Sequence, residues 1–158
     1  WYRSAAEQGY ADAQYNMGRM FLHGQGVKKN EKEAVRWYRS AAEQGDADAQ
    51  FNLGCMFEDG QGMEKNDEEA VRWYRSAAEQ GYADAQYNMG RMFLHGQGVK
   101  KNEKEAVRWY RSAAEQGDAD AQFKLGCMFE EGQGVKKNEK EAVRWYSLAA
   151  KQGHAKAQ

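Results

Sequence analysis

Apolar and small residues recur along this chain at the spacing of helical turns, and glycines interrupt the pattern at regular places. Between positions 11 and 23 they fall three or four residues apart, at Ala11, Tyr15, Gly18, Phe21 and Leu22. This spacing lines one face of an α-helix. Gly24 follows as a left-handed stop, so the pattern predicts a helix over 11–23.

A second helix is predicted after a short turn. Asn30 stands three residues before Glu33, the spacing of a capping box with Asn as the cap. The helix ends at Gly45 and turns one set of residues inward, namely Ala34, Trp37, Tyr38, Ala41 and Ala42. Gly18 lies inside the first helix, where Gly costs roughly 0.5–1 kcal/mol relative to Ala. Its recurrence in every complete repeat predicts the close approach of a neighbouring helix.

The two-helix pattern recurs with a period of 36 residues. Residues 1–36 are identical to 73–108, and 37–72 match 109–144 at all but six positions. A fixed period of this length is typical of a solenoid, in which each unit buries its apolar face against its neighbours. We therefore predict one all-α array over 1–158. The complete repeats are 10–45 (odd), 46–81 (even), 82–117 (odd) and 118–153 (even), with partial units at 1–9 and 154–158. Helices are expected over 11–23, 31–44, 47–59, 67–80, 83–95, 103–116, 119–131 and 139–152.

Charge and hydropathy narrow the classes of partner. The 158 residues carry a net charge of -1, with 30% of them charged. Binders of nucleic acid or of anionic membranes show a strong basic excess, which this chain lacks. No apolar run approaches the roughly 20 residues needed to span a bilayer. The expected partner is therefore neither nucleic acid nor membrane. The chain begins in mid-motif at Trp1, so we expect further residues upstream in the natural protein.

Catalytic, metal and cofactor chemistry is not indicated. Cys55 and Cys127 occupy equivalent positions two repeats apart. Helices packed 8–10 Å apart separate them by about 20 Å or more, beyond the reach of a disulfide. The sequence contains no Cys-x-x-Cys or His-x-x-x-His spacing, no Ser-His-Asp set and no phosphate loop. Trp37 and its copies share a helical register with the small inward residues, which favours core packing over a stacking platform.

Three motifs resemble those of the Sel1-like repeat, a relative of the tetratricopeptide repeat with a longer turn between its helices. They are Ala-x-Ala-Gln-Tyr-x-Met-Gly-x-x-Phe at 11–21, Gly-Gln-Gly-Val at 24–27, and Glu-Ala-Val-Arg-Trp-Tyr-x-x-Ala-Ala-Glu-Gln-Gly at 33–45. The resemblance implies a right-handed α-α superhelix whose first helices line a concave face. It also implies a noncatalytic scaffold, since members act as adaptors in signalling, protein quality control and bacterial host interaction.

Odd and even repeats differ along one side of the first helix, which we call the first-helix stripe. Arg19 becomes Cys55 and Leu22 becomes Glu58 in the next repeat. Spacings of three and four place the differing positions on one face, which the resemblance maps to the concave side. The candidate ligand-binding residues are Tyr15, Arg19, His23, Phe51, Cys55, Glu58, Asp59, Tyr87, Arg91, His95, Phe123, Cys127, Glu130 and Glu131. The alternative interpretation is that exposed helix positions vary freely.

Net charge alternates along the array as well. Residues 1–36 contain six basic and four acidic residues, and residues 37–72 contain three basic and nine acidic ones. Residues 73–108 again contain six basic and four acidic residues, and residues 109–144 contain six basic and seven acidic ones. An extended peptide with charges at matching intervals would complement such a surface. The first hypothesis is therefore a scaffold that binds an extended peptide or partner surface.

Two other hypotheses remain open. One is a small-molecule binder or a hydrolase of cell-wall fragments, like the cysteine-rich branch of the family, although the paired cysteines of that branch are missing here. The other is a purely structural or engineered array whose ends stack on further copies, giving end-to-end self-association.

Overall fold

The computed structural model describes residues 1–153. Over that range the chain forms nine α-helices and no strand. The helices are α1 Tyr2–Glu7, α2 Ala11–His23, α3 Glu31–Glu43, α4 Ala47–Asp59, α5 Asp67–Glu79, α6 Ala83–His95, α7 Glu103–Glu115, α8 Ala119–Glu131 and α9 Glu139–Lys151. The all-α prediction is confirmed, and only the second helix of each repeat ends one residue earlier than expected. The partial unit predicted at 154–158 lies outside the described residues.

The chain divides into two compact units, and the first is Trp1–Gln80. In this unit α1 packs on α2, and each later helix up to α5 packs on the one before it. The first helices of its two complete repeats are α2 and α4, and the second helices are α3 and α5. Its core consists mainly of Ala side chains with a few large ones, among them Met17, Tyr38, Leu53, Met56 and Tyr74. Small residues let the helix backbones approach closely, which suits a thin layered core.

The second unit begins at Gly81 and repeats the same arrangement. Helix α6 packs on α7, α7 on α8, and α8 on α9. The first helices are α6 and α8, and the second helices are α7 and α9. The largest fully buried side chains are Met89, Met92, Tyr110, Leu125 and Met128. Tyr110 occupies a position that the sequence pattern places inward, so the core face of the second helices is correctly predicted. Met89, Met92, Leu125 and Met128 were not among the predicted inner residues of the first helices, whose predicted aromatic position (Tyr15 and its copies) is only half-buried.

Each second helix begins at an asparagine cap. The Asn66 side chain accepts a hydrogen bond from the Glu69 backbone N–H at 3.1 Å, and Asn30, Asn102 and Asn138 do the same in their repeats. The reciprocal half of the predicted capping box does not form, because the Asn66 backbone N–H donates to the Phe57 carbonyl at 2.9 Å. The Glu69 carboxylate instead lies 3.5 Å from the Arg72 guanidinium, one turn along the helix.

The glycine inside each first helix lies against a tyrosine of the second helix. A Cβ atom on Gly18 would sit 2.7 Å from Cδ1 of Tyr38, and one on Gly54 equally close to Tyr74. Real Cβ atoms do not come this close, so glycine is required for the helix spacing observed. The predicted close approach is confirmed, and its purpose is to let a tyrosine ring lie flat across the first helix.

The tryptophans and cysteines mostly behave as the sequence predicts. Trp73 and Trp145 are buried, and Trp37 and Trp109 are half-buried, in keeping with core packing. Trp1 differs because it precedes α1 and its side chain is fully exposed. Neither Cys55 nor Cys127 forms a disulfide within the described chain.

Candidate binding face of the first helices

The first-helix stripe of the first unit brings the two first helices side by side. The Tyr15 hydroxyl on α2 lies near Asp46, Asp48 and Asn52 at the start of α4. Burial raises the pKa of Tyr15, the negative charge of Asp48 adds to the rise, and Arg19 one turn away opposes it. In the second unit Tyr87 lies in the same way near Asp120 and Asp118, with Arg91 beside it.

The aromatic residue of the stripe packs against the second helix. The ring centroids of Tyr15 and Tyr38 are 5.7 Å apart, and those of Phe51 and Tyr74 are 5.8 Å apart. Tyr87 with Tyr110 and Phe123 with Tyr146 form equivalent pairs. Tilted pairs at this separation are favourable. Each stripe aromatic is therefore half-buried, with only one edge left for a ligand.

In the even repeats the second-helix tyrosine reaches through to a glutamate of the stripe. The Tyr74 hydroxyl donates to Oε2 of Glu58 at 2.7 Å and lies 3.4 Å from Sγ of Cys55. Burial raises the pKa of Tyr74, and the neighbouring thiol and carboxylate raise it further. Tyr146 donates to Glu130 at 2.6 Å in the second unit. Two of the three glutamates predicted as ligand-binding residues, Glu58 and Glu130, therefore already accept a hydrogen bond from the chain itself.

In the odd repeats the same tyrosine has no such partner. The Tyr38 and Tyr110 hydroxyls are buried and make no hydrogen bond to any described residue. At the place of Glu58 these repeats carry Leu22 and Leu94, which accept no hydrogen bond. An unpaired buried hydroxyl costs roughly 1–3 kcal/mol. Odd and even repeats therefore differ in whether the buried tyrosine hydroxyl has a hydrogen-bond acceptor among the described residues.

An arginine stands beside each unsatisfied phenol. Arg19 is exposed and makes no hydrogen bond or ion pair with any residue of 1–153. Burial raises the pKa of Tyr38, the Tyr15 hydroxyl adds to the rise, and the charge of Arg19 opposes it. Arg91 has the same relation to Tyr110 and also donates to Oε1 of Gln97 at 3.2 Å.

The remaining predicted residues lie at the C-terminal ends of the first helices. His23, Asp59, His95 and Glu131 are each the last residue of a first helix, and all four are exposed. His23 and Asp59 make no hydrogen bond or ion pair to another described residue. The structure therefore places four of the predicted residues against second-helix tyrosines, namely Tyr15, Phe51, Cys55 and Glu58. Arg19 and the helix-end residues are exposed.

Sequence reasoning missed three contributors to the stripe. Asp48 and Asn52 face Tyr15 from the next repeat, and the Tyr38 hydroxyl reaches the stripe from the second helix. The sequence did contain a signal for Tyr38. Every repeat has a glycine inside the first helix and a tyrosine at the position of Tyr38, and a glycine there lets the tyrosine ring cross the first helix. The contribution of α4 depends on how consecutive repeats stack, which a single-repeat pattern does not contain.

Cavities and metal-binding groups are sparse in the described part of the chain. A shallow hollow of about 350 Å³ is lined by Arg19 with Tyr2, Asn16, Met20, Gln25 and Gly26. A larger one of about 570 Å³ lies between α1 and α2. Within residues 1–153 no group of three or more His, Cys, Asp or Glu side chains is placed to hold a metal ion. None of the helices in that range combines the length and apolarity that crossing a membrane requires.

Comparison with known families gives a match along the whole array. A family model described as the Sel1 repeat matches residues 1–10, 11–46, 47–82, 83–118 and 119–154. Its repeats begin one residue later than those predicted from the 36-residue period. No curated protein sequence matches the chain significantly.

Solved structures with similar folds include two of high similarity. One is c5321, a protective antigen present in uropathogenic Escherichia coli strains displaying an SLR fold, with a TM-score of 0.98 and 37% identity over 99% of this chain. Another is a Sel1 repeat protein from Oxalobacter formigenes, with a TM-score of 0.92 and 47% identity over 95%. The chain spans 34% of the first protein and 62% of the second. The predicted fold class, an all-α solenoid of 36-residue repeats, is confirmed.

A cysteine-rich protein also shares the fold. The Helicobacter pylori cysteine rich protein B has a TM-score of 0.65 and 28% identity over 85% of this chain, which spans 96% of that protein. Neither cysteine of the present chain forms a disulfide within the described residues, so the resemblance extends to the helices and not to a framework of disulfides.

Proposed function

The chain is a member of the Sel1 repeat family, whose fold generally serves as a noncatalytic scaffold for protein interactions, and on this premise we propose that it binds an extended, charged peptide along the first-helix stripe. The observation that carries the proposal is the exposed Arg19 guanidinium, which lies among stripe side chains without an ion pair of its own in the described chain. The proposed function is binding of a peptide without catalysis.

The charges of the stripe favour a partner of mixed sign. In the first unit Arg19 offers a cation, while Asp48 and Asp59 offer exposed carboxylates on the next first helix. Complementary charges on a peptide would speed encounter and fix its register along the stripe. A partner of one sign would meet repulsion at every other repeat, so alternating acidic and basic residues are the expected signature.

The packing beneath the stripe supports binding by a preformed surface. The stripe aromatics are held against second-helix tyrosines, and the first helices are held by buried glutamines that bridge successive repeats. A surface that is already ordered loses less conformational entropy on binding. The helical scaffold therefore presents Arg19 and the acidic positions at fixed intervals.

Display of a random peptide library against the whole protein tests the proposal. Peptides that bind should carry alternating charge, and calorimetry should show that Arg19→Ala or Arg91→Ala weakens them by about tenfold or more, as truncation of a central arginine does. The matched controls are Lys29→Ala and Lys101→Ala, which remove turn lysines paired with Glu31 and Glu103. Equal losses from stripe and turn substitutions would place the binding site elsewhere.

Self-association is a separate prediction about the ends of the array. Light scattering over a concentration series distinguishes a monomer from end-to-end assemblies. A mass that rises with concentration would support the structural array as the main role. A constant monomer mass together with peptide binding would support the scaffold.

A further inference from the structure

In the even repeats the second-helix tyrosine donates a hydrogen bond to a glutamate of the first helix. In the odd repeats the corresponding hydroxyl has no acceptor among the described residues. Tyr74 is buried and donates to the carboxylate of Glu58 at 2.7 Å. Tyr38 occupies the same place on its second helix, is equally buried, and has no acceptor among the described residues. The chain therefore presents the same phenol twice in one unit, once with a carboxylate and once without.

We propose that a partner carboxylate completes the odd repeat by taking the place that Glu58 holds in the even repeat. It would accept a hydrogen bond from the Tyr38 hydroxyl and form an ion pair with the Arg19 guanidinium. This carboxylate seat consists of Tyr38, Arg19 and Leu22. It deepens the proposed function, on which it rests, by identifying an aspartate or glutamate side chain as the anchor of the bound peptide.

A carboxylate fits the seat better than a neutral acceptor. A tyrosine hydroxyl beside a guanidinium presents only donors if the hydroxyl hydrogen points at the ligand, and an ionised carboxylate is acceptor-only with two oxygens. Hydrogen bonds to an ionised partner are shorter and stronger than neutral ones. The even repeat shows the first half of this arrangement directly, and Arg19 replaces Cys55 to supply the second half.

Acidic side chains on the neighbouring helix shape the rest of the ligand. Asp46 and Asp48 lie near the Tyr15 hydroxyl, on the α4 side of the seat. They would repel a second carboxylate and attract a lysine or arginine. The ligand that fits is therefore an acidic residue next to a basic one, with the acid directed at Tyr38 and the base at Asp48.

A ligand reaches the seat only if side chains around the Tyr38 hydroxyl move, because that oxygen has no exposed area. Arg19 is exposed and Leu22 is half-buried. Arg19 also lines the hollow of about 350 Å³ on the α1 side, which leaves room for the guanidinium to move. Rotamer changes of exposed side chains occur within nanoseconds. The proposal therefore requires that Arg19 and Leu22 change rotamer as the ligand acid enters.

The second unit carries an equivalent seat. Tyr110 is buried without an acceptor in the described chain, Leu94 stands at the place of Glu130, and Arg91 lies near the phenol. Arg91 also donates to Gln97, so its guanidinium would be shared between that amide and a ligand. Each unit therefore contains one seat, while the even-repeat position beside it is already filled by the chain's own glutamate.

Nuclear magnetic resonance of the intact protein with tyrosine rings labelled in carbon-13 tests the seat. The probe is the peptide Ac-Ala-Glu-Lys-Ala-NH2, and the control is the same peptide with Gln in place of Glu. We expect the Tyr38 and Tyr110 signals to shift saturably with the probe while the Tyr74 and Tyr146 signals stay in place. The Gln peptide should bind about tenfold more weakly or worse. Absence of a saturable shift at Tyr38, or equal binding of both peptides, would overturn the proposal.

Substitutions that fill or empty the seat give the matching controls. Leu22→Glu with Leu94→Glu brings the even-repeat carboxylate into both seats, so it should abolish the shift and raise the melting temperature. Tyr38→Phe with Tyr110→Phe removes the donors and should weaken probe binding about tenfold at an unchanged melting temperature. If the glutamate variant fails to fold by circular dichroism, the phenylalanine variant decides. Unaltered probe binding in the phenylalanine variant contradicts the seat.

The two sets of experiments distinguish a failure of the carboxylate seat from a failure of the proposed function. If library peptides bind through Arg19 but tolerate every Glu→Gln or Asp→Asn change, the scaffold stands and the carboxylate seat falls. If no library peptide binds the stripe, the proposed function falls, and a probe shift at Tyr38 would then indicate a site for small acids alone.

Discussion

The Gln80 side chain donates from Nε2 to Oε1 of Gln50 at 2.8 Å, joining two residues 30 positions apart. Gln50 is buried, and its own Nε2 donates to the carbonyl of Ala42 in the preceding repeat at 3.1 Å. The Gln50 side chain thus donates to a carbonyl in the last turn of α3 and accepts from the residue that follows α5. Gln14 with Gln44, and Gln122 with Gln152, form the same bond. Buried amides therefore fasten successive repeats to each other.

Replacing this amide by a side chain of similar length should be costly. Gln50→Met keeps much of the volume but deletes two hydrogen bonds, one to the Ala42 carbonyl and one from the Gln80 amide. The Ala42 carbonyl keeps the bond from the Gly45 backbone N–H, and the Gln80 amide keeps its longer contact with the Ser76 carbonyl. We expect a loss of about 1–2 kcal/mol in the free energy of unfolding, because each hydrogen bond contributes about 0.5–1.5 kcal/mol. Chemical denaturation measures this. Gln25→Met, at an exposed turn position, is the control and should change stability little. Equal losses would mean that the buried amide has no special role.

The glycine against Tyr74 should not accept a methyl group. Gly54→Ala would place Cβ 2.7 Å from Cδ1 of the ring and 3.3 Å from the Ala70 carbonyl oxygen. Overpacking of this kind costs about 1–3 kcal/mol, against a gain of about 0.5–1 kcal/mol from helix propensity. A net loss near 1 kcal/mol is expected in thermal unfolding.

A double-mutant cycle isolates the contact between Gly54 and Tyr74. In a Tyr74→Leu background the ring is absent, so Gly54→Ala should become neutral or stabilising. If Gly54→Ala costs the same in both backgrounds, the close approach of the ring is not what excludes alanine there.

Removal of a phenol hydroxyl should have opposite consequences in even and odd repeats. Tyr74→Phe deletes the hydrogen bond to the Glu58 carboxylate, and we expect a loss of about 1.5 kcal/mol. Tyr38→Phe deletes a buried hydroxyl without an acceptor in the described chain, and stability should stay constant or rise slightly. Parallel denaturation curves for the two variants make the comparison. A larger loss from Tyr38→Phe than from Tyr74→Phe would contradict the assignment of partners.

Alkaline pH should unfold the protein through the same tyrosines. Burial raises the pKa of Tyr38 and Tyr74 in the folded state, while an unfolded tyrosine titrates near 10. The neutral phenols therefore stabilise the fold below about pH 10, and this contribution is lost as pH rises further. Absorbance at about 295 nm, the phenolate band, should show these rings ionising only as the helical signal disappears. Ionisation of all tyrosines before any helix is lost would refute the expectation.

Helix boundaries follow from the sequence because they depend on interactions within one repeat. The glycine stops, the asparagine caps and the 3.6-residue spacing correctly place every complete helix to within one residue. The predicted capping box was wrong in one half, because the Asn66 backbone N–H donates to the Phe57 carbonyl and not to the Glu69 carboxylate. Phe57 lies on the first helix, so a pattern of residue types along the second helix does not contain this bond.

The stripe was only partly predictable for a different reason. Odd-even differences identify Arg19 and Glu58 as variable positions, but they do not reveal that Glu58 is already bound by Tyr74. That bond depends on a ring crossing the first helix over Gly54, which is a contact between two helices.

The sequence by itself determined the repeat, its period, the identity of the helices and the inner face of the second helices. Those features arise from backbone preferences and from burial of apolar side chains, which act over a few turns of chain. Only the tertiary structure decided which polar groups are satisfied: Gln50 and Tyr74 find partners, while Tyr38 finds none within the described residues. A hydrogen bond depends on tenths of an ångström in the placement of two side chains, and that placement exists only once the helices are packed.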